Sequence, residues 1–185
     1  MTFWTIGHSN QPLANFLANL AAAEISVVAD LRTFPQSTYA NWFNAAALGP
    51  ALKGAQIAYV PMGEQLGGRP QDSALYEADG RVSYQRMAQT PAVQAGLNRL
   101  KTGLETGHRI VLLCTEEDPL GCHRFLLVSR LLEAEGFEIL HLRADGRVQT
   151  SDEVQAALAG YPARKRDELQ VAWETWLSVH PIKKY

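Results

Sequence analysis

The sequence has little cysteine: only Cys114 and Cys122 in 185 residues. Two cysteines exclude a framework of several disulfides and a zinc site made of four cysteines. Long apolar runs are also absent, since no stretch approaches the roughly 18 residues of a transmembrane helix. The first residues, MTFWTIGHSN, have neither the basic start nor the apolar centre of a secretory signal. These absences predict a cytoplasmic protein with reduced thiols and no membrane association.

Neither sign of charge dominates, because 17 basic and 19 acidic side chains give a net charge of −2. Such a chain lacks the general positive field that attracts nucleic acid. Nucleic acid is therefore not favoured as a partner, although the basic runs ARKR and IKKY leave a local patch as an alternative. The length suits one domain. A change to charged, tryptophan-containing sequence divides the chain into an α/β domain, residues 1–160, and a C-terminal extension, residues 161–185, for which we expect a docked helix.

Short apolar runs alternate with amphipathic stretches along the chain. The apolar and β-branched runs predict strands at 2–6, 25–31, 56–60, 109–114 and 137–142. The stretches between them predict helices at 12–23, 42–53 and 80–89, from Thr90 to Gly107, at 119–135, and from Ser151 onward. This alternation predicts an α/β fold with three layers: a mostly parallel sheet of about five strands with helices on both faces.

Polar, ionisable or glycine residues follow every predicted strand. In open parallel sheets, ligands bind outside the carboxyl ends of the strands. The residues expected at that edge are His8 and Ser9, then Asp30 and Arg32, then Gly67 and Gly68, then Cys114 and Glu116, and finally His141 and Arg143. Their convergence predicts a functional site at this edge of the sheet.

The stretch CTEEDPLGCHR, residues 114–124, joins the fourth predicted strand to the next helix. Asp118 is a typical N-cap and Pro119 a typical first helical residue, so we expect Cys122, His123 and Arg124 on the first two turns. A helix N-terminus attracts anions and favours an ionised thiol, and an arginine adds a two-pronged donor. Nine residues separate Cys114 from Arg124. This spacing differs from the short cysteine-to-arginine loop of phosphatases and sulfurtransferases.

Two hypotheses follow for a small anionic ligand at this edge. The first is an enzyme acting on a phosphate-bearing or nucleotide substrate, with a cysteine nucleophile, a histidine base and an orienting carboxylate. Its catalytic candidates are Cys122, Cys114, His8, Asp30, Glu116 and His123, and its anion-binding candidates are Ser9, Arg32, Gly67, Gly68 and Arg124. The second is a nucleotide or nucleic-acid binding module without catalysis, which needs the arginines but not the thiols. The sequence does not decide between them.

A third hypothesis is a metal site built from Cys114, Cys122, His123 and His8, whose thiolates and imidazoles suit zinc. Adjacent residues on a helix point about 100° apart, so Cys122 and His123 would rarely share one ion. The metal hypothesis therefore ranks last, and no metal ligand is assigned. Purely structural roles also stay open, with Cys114 as a small apolar residue in the core. The sequence identifies no cofactor and no oligomeric state.

Four ordered motifs carry a family resemblance: TIGHSN, DLRTFPQS, LGG near residue 66, and CTEEDPLGCHR. Together they resemble the family called domain of unknown function 488, from about residue 2 to residue 145. The resemblance implies an α/β domain and no established reaction. The signature positions that it implies are His8, Ser9, Asp30, Arg32, Pro35, Ser37, Gly67, Gly68, Cys114, Glu116, Cys122, His123 and Arg124. Thr115 departs from the small apolar residue expected between the cysteine and the glutamate.

Overall fold

The computed structural model of the chain describes residues 1–182. Within them, six strands form one sheet in the order β3-β2-β4-β1-β5-β6. The strands are β1 (Thr2–Gly7), β2 (Val27–Asp30), β3 (Ala58–Pro61), β4 (Ile110–Cys114), β5 (Glu138–Leu142) and β6 (Val148–Thr150). The first five strands are parallel and β6 runs antiparallel to β5. The fold is therefore α/β with a mostly parallel sheet.

Helices fill the connections between the strands. They are α1 (Leu13–Ala22), α2 (Ala45–Gly54), α3 (Gly63–Leu66), α4 (Tyr84–Ala88), α5 (Pro91–Glu105), α6 (Arg130–Ala134), α7 (Ser151–Ala156) and α8 (Ala163–Thr175). A π-helical segment, Arg124–Ser129, leads directly into α6. None of the helices in residues 1–182 combines the length and the apolarity that crossing a bilayer requires.

The sheet buries two hydrophobic clusters, because successive strand residues point to opposite faces. Phe3 belongs to one cluster and Trp4 to the other. The first cluster also contains residues of α5, such as Leu97, and the second contains residues of α1 and α2, such as Phe16 and Leu48. Strands β1 and β4 are therefore covered on both sides, which explains why the run IVLLC of β4 is apolar throughout.

All five predicted strands are present, and their ends lie within two residues of the predicted ones. The expected number of about five strands is low by one, because β6 was not predicted. This strand is three residues long, and its alternating exposed and half-buried residues carry no apolar signal. It pairs with β5 through a tight turn in which Gly146 has a positive φ of 85°. The short helix α3 was not predicted either.

The helix predicted at 119–135 is interrupted at Cys122. Asp118 is indeed a cap, since its Oδ1 accepts a hydrogen bond from the Leu120 amide at 3.1 Å, but it begins only a 3₁₀ turn, Pro119–Gly121. The Cys122 amide closes that turn on the Pro119 carbonyl at 2.9 Å. Cys122 then has an extended backbone, φ −109° and ψ 140°, and helical structure resumes at His123. The prediction that Cys122 lies on a helical turn is therefore wrong, whereas His123 and Arg124 are helical as predicted.

Helix α8 packs on the first cluster through Leu169 and Ala172. The Arg130 guanidinium lies over the rings of Trp173 and Trp176, at 4.5 and 4.8 Å from the ring centroids. The chain beyond α8 then runs beside residues 80–84, where the Tyr84 amide donates to the Trp176 carbonyl at 3.0 Å. These contacts direct residues 178–182 toward the carboxyl edge of the sheet.

His141 on β5 is a buried histidine with two hydroxyl partners. Its Nδ1 lies 2.8 Å from Thr5 Oγ1 and its Nε2 lies 3.1 Å from Ser151 Oγ. Burial, together with the charges of Arg124 and Arg143, lowers the pKa of His141 to about 3. The folded chain therefore keeps this ring neutral at pH values where the unfolded chain protonates it.

We predict that this difference makes the free energy of unfolding fall as the pH decreases below about 6.5 toward about 3, because the unfolded state binds the extra proton. In urea titrations, His141→Gln should remove a slope of up to ~1.4 kcal/mol per pH unit within that window. His108→Gln, which removes an exposed histidine, is the matched control and should keep the wild-type slope. An unchanged slope in the His141 variant would contradict the prediction.

Candidate active site

A cleft of about 890 Å³ opens at the carboxyl edge of the sheet. Four strand ends contribute to its lining: His8 follows β1, Arg32 follows β2, Gly68 follows β3, and Cys114 ends β4. His123 and residues 178–182 complete the wall on other sides. The cleft therefore occupies the position in which open α/β sheets bind ligands.

Arg32 is held in place by hydrogen bonds from two directions. Its Nε donates to Asp30 Oδ1 at 2.8 Å and its Nη2 donates to Asp30 Oδ2 at 2.5 Å. Its Nη1 lies 3.0 Å from His8 Nε2. Tyr59 OH donates to Asp30 Oδ2 at 2.7 Å, so the carboxylate is itself oriented. The planar guanidinium is thus fixed at the wall of the cleft.

His8 serves as a neutral acceptor in this arrangement. The pKa of His8 is lowered to about 4, mainly by burial and to a lesser extent by the nearby charge of Arg32. Its Nδ1 lies 2.7 Å from the Ser9 carbonyl and must donate the proton there, which leaves Nε2 to accept from Arg32. The ring also stacks on Phe43, with the centroids 4.5 Å apart. Both ring nitrogens are therefore engaged within the described residues, and the contacts of His8 serve to orient Arg32.

Four side chains form a second group at the floor of the cleft. Glu116 Oε2 lies 3.2 Å from the sulfurs of both Cys114 and Cys122. His123 Nδ1 lies 3.4 Å from Cys114 Sγ and 3.9 Å from Cys122 Sγ. The ligating atoms of Cys114, Cys122 and His123 all lie within 4.8 Å of one another, and these three residues are called the cysteine–histidine cluster below. The structure thus brings together both cysteines of the chain.

The His123 ring is held from two sides. Its Nε2 lies 3.3 Å from the Leu31 carbonyl, which can only accept, so Nδ1 is left without a proton when the ring is neutral. The backbone of Gly68 packs directly against the ring, because a Cβ at that position would lie 2.6 Å from His123 Cγ. This close approach explains the need for glycine at position 68. The unprotonated nitrogen consequently faces the two sulfurs.

Cys122 and Glu116 respond oppositely to their surroundings. Burial raises the pKa of the Cys122 thiol well above its usual value, and the neighbouring Cys114 and Glu116 raise it further. Burial also opposes ionisation of Glu116, but the charge of His123 and the hydrogen bonds from the thiols outweigh it and lower the pKa of this carboxyl. At neutral pH, Glu116 is therefore an anion beside a protonated Cys122 thiol.

Arg124 lies beneath the cleft and supports the loop that follows β4. It is 1 % exposed. Its Nη1 donates to the Glu116 carbonyl and its Nη2 donates to the Glu117 carbonyl at 2.7 Å. The Glu117 carboxylate is in turn held by Arg143, with contacts of 2.8 and 2.6 Å. These contacts position the loop backbone and do not place Arg124 at the cleft surface.

The predicted site residues fall into two groups. The cleft is lined by His8, Arg32, Gly68, Cys114, Glu116 and His123. The remaining candidates, Ser9, Asp30, Gly67, Cys122 and Arg124, are not part of the lining and contact those residues or their loops. Gly67 leaves no room for a side chain, because a Cβ would lie 2.3 Å from the Gly63 carbonyl oxygen.

Sequence reasoning did not select several lining residues. Arg69 directly follows the two glycines of the third loop, which was the available signal for it. Phe34 and Ser37 also lie in the motif DLRTFPQS, where the resemblance marked Ser37 as a signature position and nothing marked Phe34. His180 belongs to the C-terminal segment, whose place beside the site depends on distant contacts. Of the basic runs, ARKR lies on α8, whereas residues 183–185 of IKKY lie outside the described residues.

A comparison with known families identifies the family of this chain. The family model described as "Domain of unknown function DUF488" matches residues 12–131. This range contains Arg32, Gly68 and the cysteine–histidine cluster, whereas His8 lies just before it. No curated protein matches the chain. Because the family model covers more than half of the 185 residues, the chain belongs to the DUF488 family.

Proposed function

We propose that the protein is an enzyme that binds a small phosphate-bearing molecule, such as a nucleotide, in the cleft. One observation carries the proposal: an arginine with a fixed orientation and a group of reactive side chains line the same cleft. The two are directly coupled, because the Leu31 carbonyl next to Arg32 is the partner of His123 Nε2 at 3.3 Å. A bound anion would therefore lie beside the cysteine–histidine cluster.

Arg32 supplies geometry for an anion. A guanidinium has five N–H donors in a rigid fork. Within residues 1–182, the contacts to Asp30 and His8 use three of them, through Nε, Nη1 and Nη2. Two donors are left for an oxygen-rich ligand, and planar bidentate recognition of phosphate is the usual role of such an arginine.

Arg69 adds a second positive charge to the cleft beside Arg32. Its side chain lines the cleft, and its amide donates to Thr33 Oγ1 at 3.1 Å, which holds it near Arg32. A fixed fork and a more exposed cation on neighbouring loops suit an anion of phosphate size. The catalytic half of the site is formed by Cys114, Glu116 and His123, which line the cleft nearby.

The positions of the two thiols determine which cysteine could act as a nucleophile. A cysteine nucleophile would have to be Cys114, because Cys122 does not line the cleft and burial raises the pKa of its thiol. Glu116 and His123 are the groups placed to move protons, since both contact the sulfurs and line the cleft. Asp30 and His8 act through Arg32 as positioning residues.

The first test concerns the anion. We expect the full chain to bind inorganic phosphate or a nucleoside monophosphate in titration calorimetry, and Arg69→Gln to weaken that binding about tenfold or more, since a hydrogen bond to a charged group contributes ~1.5 kcal/mol or more. Arg99→Gln removes the same charge from an exposed position on α5 that does not line the cleft, and should bind like the wild type. Equal weakening in both variants would show only a general charge effect and contradict the assigned site.

The second test concerns catalysis. Incubation with a panel of nucleotides and phosphorylated metabolites, followed by phosphorus NMR, should reveal conversion of one compound class. Glu116→Gln should then lower turnover about 100-fold or more, because it removes a proton-accepting group, while binding of inorganic phosphate persists. Glu64→Gln, an exposed position of α3, is the control. Binding of the panel without any conversion would contradict an enzyme and favour the binding module.

A further inference from the structure

We propose that Cys114, Cys122 and His123 bind one zinc ion whose fourth coordination position opens into the cleft. This inference deepens the proposed function, because it names what the reacting end of the cleft holds. It rests on that function only for the statement that the ion faces a substrate. The cluster itself is defined by distances among the three side chains.

The distances within the cluster agree with tetrahedral coordination. Zinc bonds of about 2.3 Å to sulfur and about 2.0–2.1 Å to nitrogen place a sulfur and a nitrogen roughly 3.5 Å apart across a tetrahedron. His123 Nδ1 lies 3.4 Å from one cysteine sulfur and 3.9 Å from the other. No large movement is therefore needed for one ion to contact all three ligands.

The backbone at Cys122 makes this ligand set feasible. Two adjacent residues on a helix diverge by about 100° and rarely share an ion. Cys122 is instead extended, with φ −109° and ψ 140°, while His123 has the helical angles φ −60° and ψ −24°. This break between the 3₁₀ turn and the π-helical segment lets both side chains point at Cys114. The objection that ranked a metal site last does not apply to this conformation.

The surroundings of His123 resemble those of metal-bound histidines. Such a ring almost always donates its second N–H to a carbonyl or a carboxylate, which fixes its orientation. Here the Leu31 carbonyl lies 3.3 Å from Nε2, so Nδ1 is the nitrogen presented to the ion. Gly68 backs the ring at a distance that excludes even a methyl group. The His123 ring is thus already held in the orientation that metal binding requires.

Zinc binding also balances the charges of this group. The two thiols would lose one proton each, and the resulting two thiolates would neutralise the dication. Glu116 Oε2, 3.2 Å from both sulfurs, is the nearest acceptor through which those protons leave. Three protein ligands with one open position are typical of catalytic zinc, whereas structural zinc has four. Cys114 and His123 are then ligands, so Cys114 is not the nucleophile and Glu116 alone of this group is left to move protons.

The test measures metal directly in the full chain, purified with reductant and without chelator. Elemental analysis should find about one zinc per chain, and Co²⁺ added to the metal-free protein should give thiolate-to-cobalt charge-transfer absorption. Cys122→Ser removes one of two sulfurs, so that absorption should fall by about half and zinc affinity by about 100-fold or more. His108→Gln removes an imidazole outside the cluster and should change neither quantity.

A second variant tests the site with every ligand intact. Gly68→Ala displaces the His123 ring, because its Cβ would lie 2.6 Å from Cγ, and should weaken zinc about 10- to 100-fold. Gly54→Ala adds the same methyl group where nothing lies within 4 Å, and should bind zinc like the wild type. Circular dichroism of each variant verifies that it is folded.

Failure to bind zinc and cobalt stoichiometrically would overturn the proposal, as would wild-type affinity in Cys122→Ser. These outcomes differ from failure of the proposed function. If the protein binds phosphate but takes up no metal, only the zinc proposal is wrong and the proposed function stands. If the protein binds metal stoichiometrically but neither binds nor converts any phosphorylated probe, the zinc site stands and the proposed phosphate-bearing substrate is wrong.

Discussion

The site depends on the buried guanidinium of Arg124. Burying an unpaired charge costs several kcal/mol, which favours acceptors for its N–H groups. The carbonyls of Glu116 and Glu117 accept from Nη1 and Nη2, although the buried Nε has no partner within residues 1–182. These two hydrogen bonds hold the loop after β4 close to the start of the π-helical segment. That loop carries Glu116 and begins at Cys114, whereas Arg124 directly follows Cys122 and His123. One side chain thus joins the two segments whose sulfurs and imidazole meet at the floor of the cleft.

A second constraint is the pairing of β2 with β4. The Leu31 amide donates to the Leu113 carbonyl at 3.0 Å, and the Leu31 carbonyl accepts from His123. Leu31 therefore links the end of β4 to the cysteine–histidine cluster and immediately precedes Arg32. The proposed anion-binding half and the proposed reacting half of the cleft are attached to one buried residue, so their separation is set by the sheet. A cleft built in this way is suited to holding a ligand in a defined position.

Much of the fold was predictable because β1 to β5 are rich in apolar and β-branched residues, and β2 and β4 are buried throughout. The edge strand β6 has no such run, and its pairing depends on a turn at Gly146. The convergence of polar residues at one edge followed from the same strand predictions. The individual roles did not follow. Nothing in the sequence indicates that His8 would be occupied in orienting Arg32, since that hydrogen bond connects two separate loops.

The interruption at Cys122 shows why local signals misled the prediction of the site. An aspartate followed by proline begins a 3₁₀ turn as readily as an α-helix, because both need the same cap and the same φ at proline. Gly121 ends the turn here, and the next residue becomes extended. This single change of ψ decides whether a Cys-His dipeptide can chelate. On a regular helix, the two side chains would diverge, and the thiols and the imidazole would have no common function. With the break, three ligating atoms and an anionic carboxylate share one buried corner, which is the arrangement that the proposed zinc ion requires.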